Sequence, residues 1–187
     1  MPRKRRTWYP GAKFHVFSRG NRKQLLFYDR QDFVKYLSLI CEAKTNYSFK
    51  LQTYCLMSNH VHLQIQTENT NISRIIGYIH SHYARFFNDK YELVGHVFQG
   101  RYKAELIQYP DYELEVNRYI HMNPLKANIV NNLNDYPWSS YHAYAGRKLD
   151  PLIDGEEIKA MLSYFPSPQI SNYEHFLTSD TSPFDVI

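Results

Sequence analysis

The residues of this 187-residue chain best suited to chemistry fall into two short groups. In His60-Val61-His62 an aliphatic residue separates two imidazoles; in an extended segment the two-residue period sends both rings to one face and Val61 to the other. Two neutral imidazoles whose Cα atoms lie about 7 Å apart can converge on one divalent cation, a donor pair open to magnesium, manganese or zinc. The second group is Tyr119 and Asn123 within Arg118-Tyr119-Ile120-His121-Met122-Asn123-Pro124. Four residues apart on a helix, they share one face, a phenol with an amide oxygen one turn below it. Each group also has an ordinary structural reading. A chain with nine histidines can carry a pair as surface or hydrogen-bonded core residues. Tyr112, Val116 and Tyr119 fall on a helical core stripe, and Asn before Pro is a common helix terminus.

The elements that must position these groups follow from periodicity. Phe14-His15-Val16-Phe17-Ser18 alternates, is rich in strand formers and is closed by Gly20-Asn21, which predicts a first strand. Asp29 with Asp32 three residues on reads as an N-cap, and Phe33, Leu37, Ile40 and Cys41 recur at helical spacing to about Asn46. Residues 51–57 and 61–66 are extended and joined by Ser58-Asn59-His60, the pattern of an antiparallel hairpin. Ile72, Ile75, Ile76, Ile79, Tyr83 and Phe86 or Phe87 form the apolar stripe of a second helix whose other face carries Arg74, His82 and Arg85. Gly95 and Gly100 flank a connection into a strand over 101–108. Pro110 with Asp111, Glu113 and Glu115 opens a third helix that Pro124 is expected to end near Asn123. Strand, helix, strand, strand, helix, strand is the order of a ferredoxin-like α/β sandwich with an antiparallel sheet (an α+β fold), here followed by an extra helix.

Composition bounds the function. The chain is 43% hydrophobic and 21% charged, as for a soluble globular domain, and no apolar run approaches the ~20 residues that cross a bilayer. No apolar stretch follows Met1-Pro2-Arg3-Lys4-Arg5-Arg6, so neither a membrane protein nor a secreted one is expected. Two cysteines, Cys41 and Cys55, do not make a disulfide framework; both read as small buried hydrophobes in a reducing cytoplasm. The net charge of +4 is unevenly spread: residues 1–28 hold eight Lys or Arg and no acid, whereas residues 149–187 hold seven acids and one base. A basic leading arm, Arg3, Lys4, Arg5 and Arg6, favours phosphate contacts, though such a segment is equally a solvated terminus. Three regions are expected: a basic flexible arm over 1–12, a catalytic domain over 13–148, and an acidic extension over 149–187, either a cap on the core or a partly disordered appendage.

Several spaced blocks carry a resemblance. Tyr54-Cys55-Leu56-Met57-Ser58-Asn59-His60-Val61-His62-Leu63 resembles the His-hydrophobe-His motif of the single-tyrosine HUH transposases. Arg19-Gly20-Asn21-Arg22, Gly95-His96-Val97-Phe98-Gln99-Gly100-Arg101-Tyr102-Lys103, Tyr119-Ile120-His121-Met122-Asn123-Pro124 with Lys126-Ala127, and Tyr136-Pro137-Trp138-Ser139-Ser140-Tyr141 are similar to the REP-associated branch of that IS200-like superfamily. The blocks occur in the family's order from about residue 14 to 146, and the tail from 149 onward matches none of it.

The resemblance implies that His60 and His62 bind a divalent metal, magnesium or manganese, and that Tyr119 is the nucleophile. Related insertion-sequence enzymes complete the metal site with a glutamine one turn after the tyrosine. Asn123 stands there in this chain, as a direct ligand, a ligand through water, or a helix cap. A phenol is mostly protonated at neutral pH, and a metal that draws charge from the phosphate would help it attack. The product would be a 5′-phosphotyrosine and a free 3′-hydroxyl, and rejoining would need no ATP. The implied substrate is single-stranded or hairpin DNA, with Arg19, Arg22, Arg101, Lys103 and the amino-terminal arm on its backbone. Either a monomer or a homodimer fits, a monomer being favoured. The rival expectations are a non-catalytic nucleic-acid-binding module and a metal-dependent phosphodiesterase that activates water.

Overall fold

In the computed structural model, which describes residues 7–165 and 170–179, the sheet is built around the strand that carries the paired histidines. Strand β1 (Lys13–Arg19) lies between β3 (His60–Thr67) and β4 (Lys103–Ile107), and β2 (Phe49–Met57) borders β3. The order β2-β3-β1-β4, antiparallel at every step, is the expected ferredoxin-like sheet. Helices α1 (Arg30–Asn46) and α2 (Ile72–Tyr91) pack on each other, whereas α3 (Pro110–Lys126) contacts β2, β3 and β4.

Local chemistry explains the boundaries. Asp29 accepts from the backbone N–H groups of Gln31 and Asp32, and the Asp32 carboxylate accepts from the Asp29 N–H in return. This reciprocal cap contributes about 1 kcal/mol at the start of α1. The buried stripe of that helix runs through Tyr36, Leu39, Ile40 and Ala43. It is therefore rotated from the expected one, and Cys41, expected in the core, is exposed; Cys55 is buried as expected. In α2 the buried residues are Ile72, Ile75, Ile76, Ile79, Tyr83 and Phe87, as the periodicity predicts.

The β2–β3 hairpin turns at Ser58-Asn59, with Met57 paired to His60. A register shift between Leu51 and Thr53 lets Leu51, Tyr54 and Leu56 join the same core as Val61, Leu63 and Ile65. Those three β3 side chains are fully buried, each worth about 1.5–3 kcal/mol relative to exposure. A slip by one residue would exchange them for His60, His62 and Gln64, so the apolar face of β3 fixes which way the imidazoles point.

Two further expectations change. Helix α3 does not end at Asn123 but runs to Lys126, with Pro124 inside its last turn. Proline there removes one N–H, and the Asn123 amide nitrogen bonds the carbonyls of Tyr119 at 2.7 Å and Ile120 at 3.5 Å, serving groups near the gap. Secondly, residues 7–12 of the region expected as an arm are tied down. Trp8 Nε1 donates to Thr67 Oγ1 at 3.1 Å, the Gly11 N–H donates to the Thr67 carbonyl at 2.7 Å, and Ala12 is buried. Arg3, Lys4, Arg5 and Arg6 lie outside the described residues.

The described part of the acidic extension packs as a cap. Helix α4 (Tyr141–Tyr144) is followed by α5 (Gly155–Leu162) and α6 (Ile170–Thr178), and Met161, Tyr173, Phe176 and Leu177 belong to the main core. The Gln52 amide nitrogen donates to both Glu113 on α3 and Glu157 on α5, while Lys13 and Lys50 neutralise those carboxylates. Among the described residues no helix is long and apolar enough to cross a membrane.

Candidate active site

Because β3 keeps its apolar residues on the α1–α2 side, His60 and His62 face α3, where Tyr119 crosses above them. The Tyr119 and His62 ring centroids are 5.4 Å apart with planes at 86°, and the His60 and His62 rings stand at 90° with centroids 5.0 Å apart. Tyr119 is 42% exposed, unlike its helical neighbours Val116 and Ile120, which fill a small core with Cys55, Met57, Ile107 and Tyr136. The core-stripe reading of Tyr119 is thus overturned: the buried stripe of α3 runs through Val116, Asn117, Ile120 and His121 instead.

One open cavity is lined by His60, His62 and Tyr119 together with Phe17, Gln99, Arg19, Arg101 and Lys103. The three cations are exposed on its rim. Arg22 does not line this cavity; it is exposed in a turn where it and Lys23 both adopt left-handed backbone angles (φ 53° and 65°). Gly20 allows that turn to close, since a Cβ there would overlap the Gln24 carbonyl. The turn is stitched to the hairpin by the Gly20 N–H donating to the Asn59 carbonyl at 2.8 Å.

The imidazoles are arranged to stay neutral. Burial, then the repulsion that His60 and His15 would exert once protonated, pull the His62 pKa down to about 2. Burial and the positive charge of Arg19 lower that of His60, opposed by the Asn123 side chain, which would accept a hydrogen bond from the protonated ring. His60 Nδ1 lies 2.6 Å from Asn59 Oδ1, so it carries its proton there and leaves the Nε2 lone pair free. Asn123 is oriented by its amide nitrogen, which bonds the Tyr119 carbonyl and turns the oxygen toward His60. With the His60 and His62 rings in contact and the Asn123 side chain beside His60, two nitrogen donors and one oxygen donor are available, a set whose chemistry fits a divalent cation. Among the described residues no group of three His, Cys, Asp or Glu side chains is placed to hold a metal.

Several neighbours escaped the sequence reading. His15 Nε2 is 3.0 Å from His62 Nδ1, and the two rings stack with centroids 5.2 Å apart. The signal was the two-residue period that sets Lys13, His15 and Phe17 on the face opposite Phe14 and Val16, which places His15 on the histidine face. Lys126 lies with Nζ 5.6 Å from the Tyr119 ring centre, two turns along the helix, and reaches it only because α3 continues past Pro124.

Helix α3 is itself held from behind by the cap. The Tyr173 hydroxyl joins Asn117 and His121, the His121 Nε2 lies 2.7 Å from Ser140 Oγ, and Asn117 donates to Thr53 Oγ1 at 2.6 Å. Arg118 donates to the Ser179 carbonyl at 2.7 Å and stacks over Phe176. Residues on both sides of Tyr119 are therefore anchored to α6.

Fold and sequence together define the class. The profile of the family described as Transposase IS200 like matches residues 9–123, more than half of the chain, and the chain belongs to that family. Its similarity is to the REP-associated tyrosine transposases. A curated protein of Haemophilus influenzae bearing that name is 30% identical over 110 residues, covering 52% of this chain and 61% of the relative, so the match spans less than two thirds of that relative's length. A solved REP-associated tyrosine transposase bound to a REP hairpin superposes with a TM-score of 0.69 at 20% identity, over 83% of this chain and 92% of the other, a likeness in fold.

Proposed function

We propose that this protein cuts and rejoins single-stranded DNA beside a hairpin, with Tyr119 as the nucleophile and a divalent metal, magnesium or manganese, held by His60, His62 and Asn123. The observation that carries this reading is the exposed Tyr119 ring standing against His62 at the mouth of a cavity they share with His60. The bound cation would draw negative charge from the non-bridging phosphate oxygens. Arg19, Arg101 and Lys103 on the rim hold the DNA backbone, together with Arg22. The phenolic oxygen attacks phosphorus in line, the bond to the 3′-oxygen breaks, the phenol loses its proton to solvent, and the departing 3′-oxygen takes one up. The phosphotyrosine ester keeps the bond energy, so attack by another 3′-hydroxyl reverses the step. His60, His62, Tyr119 and Asn123 come from one chain, which supports a site complete in a monomer. Hairpin DNA as the substrate is supported by the family and by the ligand of the solved relative.

The test is a labelled hairpin oligonucleotide incubated with manganese and resolved on a denaturing gel. A protein–DNA adduct that disappears in Tyr119→Phe supports the reading. Release of free 5′-phosphate without an adduct would show a water-using phosphodiesterase, and retention without cutting a binding module.

A further inference from the structure

His15 belongs to none of the motif blocks, yet it is buried at the centre of the site. Strand β1 runs between β3 and β4, and the register sets His15 opposite Gln64 on one side and Glu105 on the other, with Phe17 opposite His62. From there its Nε2 reaches diagonally to His62 Nδ1, at 3.0 Å and shielded from water. A single proton lies between those nitrogens, and its owner decides what His62 can do. If His15 donates, His62 carries its own proton on Nε2 and has no lone pair there; if His62 donates from Nδ1, Nε2 is free. The negative charge of Glu105 acts on His15 and favours a proton on the His15 nitrogen away from His62, leaving Nε2 to accept.

We propose that His15 is a positioning residue: it accepts a hydrogen bond from His62 Nδ1–H and so presents the His62 Nε2 lone pair toward His60 and Tyr119. The inference rests on the reading above that His60 and His62 bind a metal. A ligating histidine whose other nitrogen is fixed by a neighbour is oriented and made more basic, and losing such a neighbour weakens metal binding about 10–100-fold. The arrangement repeats the one at His60, whose Nδ1 is held by Asn59. Both imidazoles are thereby locked in the same tautomer by two different partners.

The first measurement needs neither metal nor DNA. Long-range ¹H–¹⁵N spectra of the imidazole-labelled wild-type protein should show His62 protonated at Nδ1; protonation at Nε2 overturns the proposal. In His15→Phe the His62 tautomer should shift toward Nε2–H, and in His15→Gln, whose side-chain oxygen can accept the same bond, it should stay. Manganese titration followed by electron paramagnetic resonance should then give about a tenfold or greater loss for His15→Phe and at most about a threefold loss for His15→Gln. An unchanged tautomer and affinity in His15→Phe would overturn the assignment, as would equal damage in both variants, which would mark His15 as a direct ligand. Should the wild-type protein show the stated tautomer and bind no manganese, the hydrogen bond stands as assigned and the metal-site reading falls.

Discussion

The Tyr119 ring stands edge-on to that of His62, centroids 5.4 Å apart and planes at 86°, on an element that neither histidine shares. Strand β3 and helix α3 meet there because Val116 and Ile120, on the adjacent face of the helix, are buried against Cys55 and Met57 of β2. Tyr119 is placed by apolar contacts it does not itself make.

Tyr119→Phe should therefore separate chemistry from stability. With the ring exposed and its packing unchanged, thermal melting should move by no more than the equivalent of about 0.5 kcal/mol. Covalent capture of a hairpin oligonucleotide, read on a denaturing gel, should vanish while binding in a gel-shift assay stays within about twofold, since no backbone contact has been removed. A variant that still forms the adduct would place the nucleophile elsewhere.

Asn123→Ala should lose two functions together. Its amide nitrogen supports the Tyr119 and Ile120 carbonyls in the turn containing Pro124, so urea denaturation should reveal a loss of about 1 kcal/mol. Manganese affinity should fall as well, by about tenfold, if the proposed oxygen donor is removed. A stability loss with unchanged affinity would leave Asn123 as a helix cap alone.

Stability should decline on mild acidification. His80, stacked on Phe98, and His121, enclosed by Ser140 and Tyr173, are both buried, and burial pulls each pKa from the ordinary 6.5 to about 3. Below pH 6.5 the unfolded chain binds protons that the folded chain refuses, so this contribution is complete above pH 6.5 and is lost as the pH falls toward about 3. Two such groups give a slope of about 3 kcal/mol per pH unit, and His62 acts in the same direction. Urea midpoints at pH 7.5, 6.5 and 5.5 test this, and His80→Gln should remove roughly half of that two-histidine slope. A midpoint independent of pH across this window would contradict it.

Tyr173→Phe should show that the acidic cap is part of the fold. Removing the hydroxyl leaves His121 Nδ1 and Asn117 Oδ1 buried without that partner, at a cost of about 1–3 kcal/mol in chemical denaturation. An effect within error would mean that the network adds nothing to the support of α3.

Arg101→Ala should weaken hairpin binding uniformly across DNA sequences and lower the slope of log affinity against log salt by about 1. A change in sequence preference with an unchanged salt slope would assign Arg101 to base reading instead.

Much of the architecture was legible because it is written in local, periodic signals. The capping box at Asp29, the alternation of Val61, Leu63 and Ile65, and the isoleucine stripe of α2 each report the environment of their own element. The end of α3 was misread because proline's cost depends on what serves the freed carbonyls, and here a side chain at Asn123 helps to do so. Cys41 was misplaced because a helical stripe can rotate by one residue without a visible change in spacing.

Side-chain type and spacing alone determined that two imidazoles share a strand face and that a phenol and an amide share a helix face, since the repeat of each backbone dictates both. Tertiary packing decided that those faces meet, that Tyr119 stays exposed while its neighbours are buried, and that His15 reaches His62 from another strand. Such contacts join residues tens of positions apart, and their partners are set by how layers bury apolar surface rather than by anything repeated along the chain.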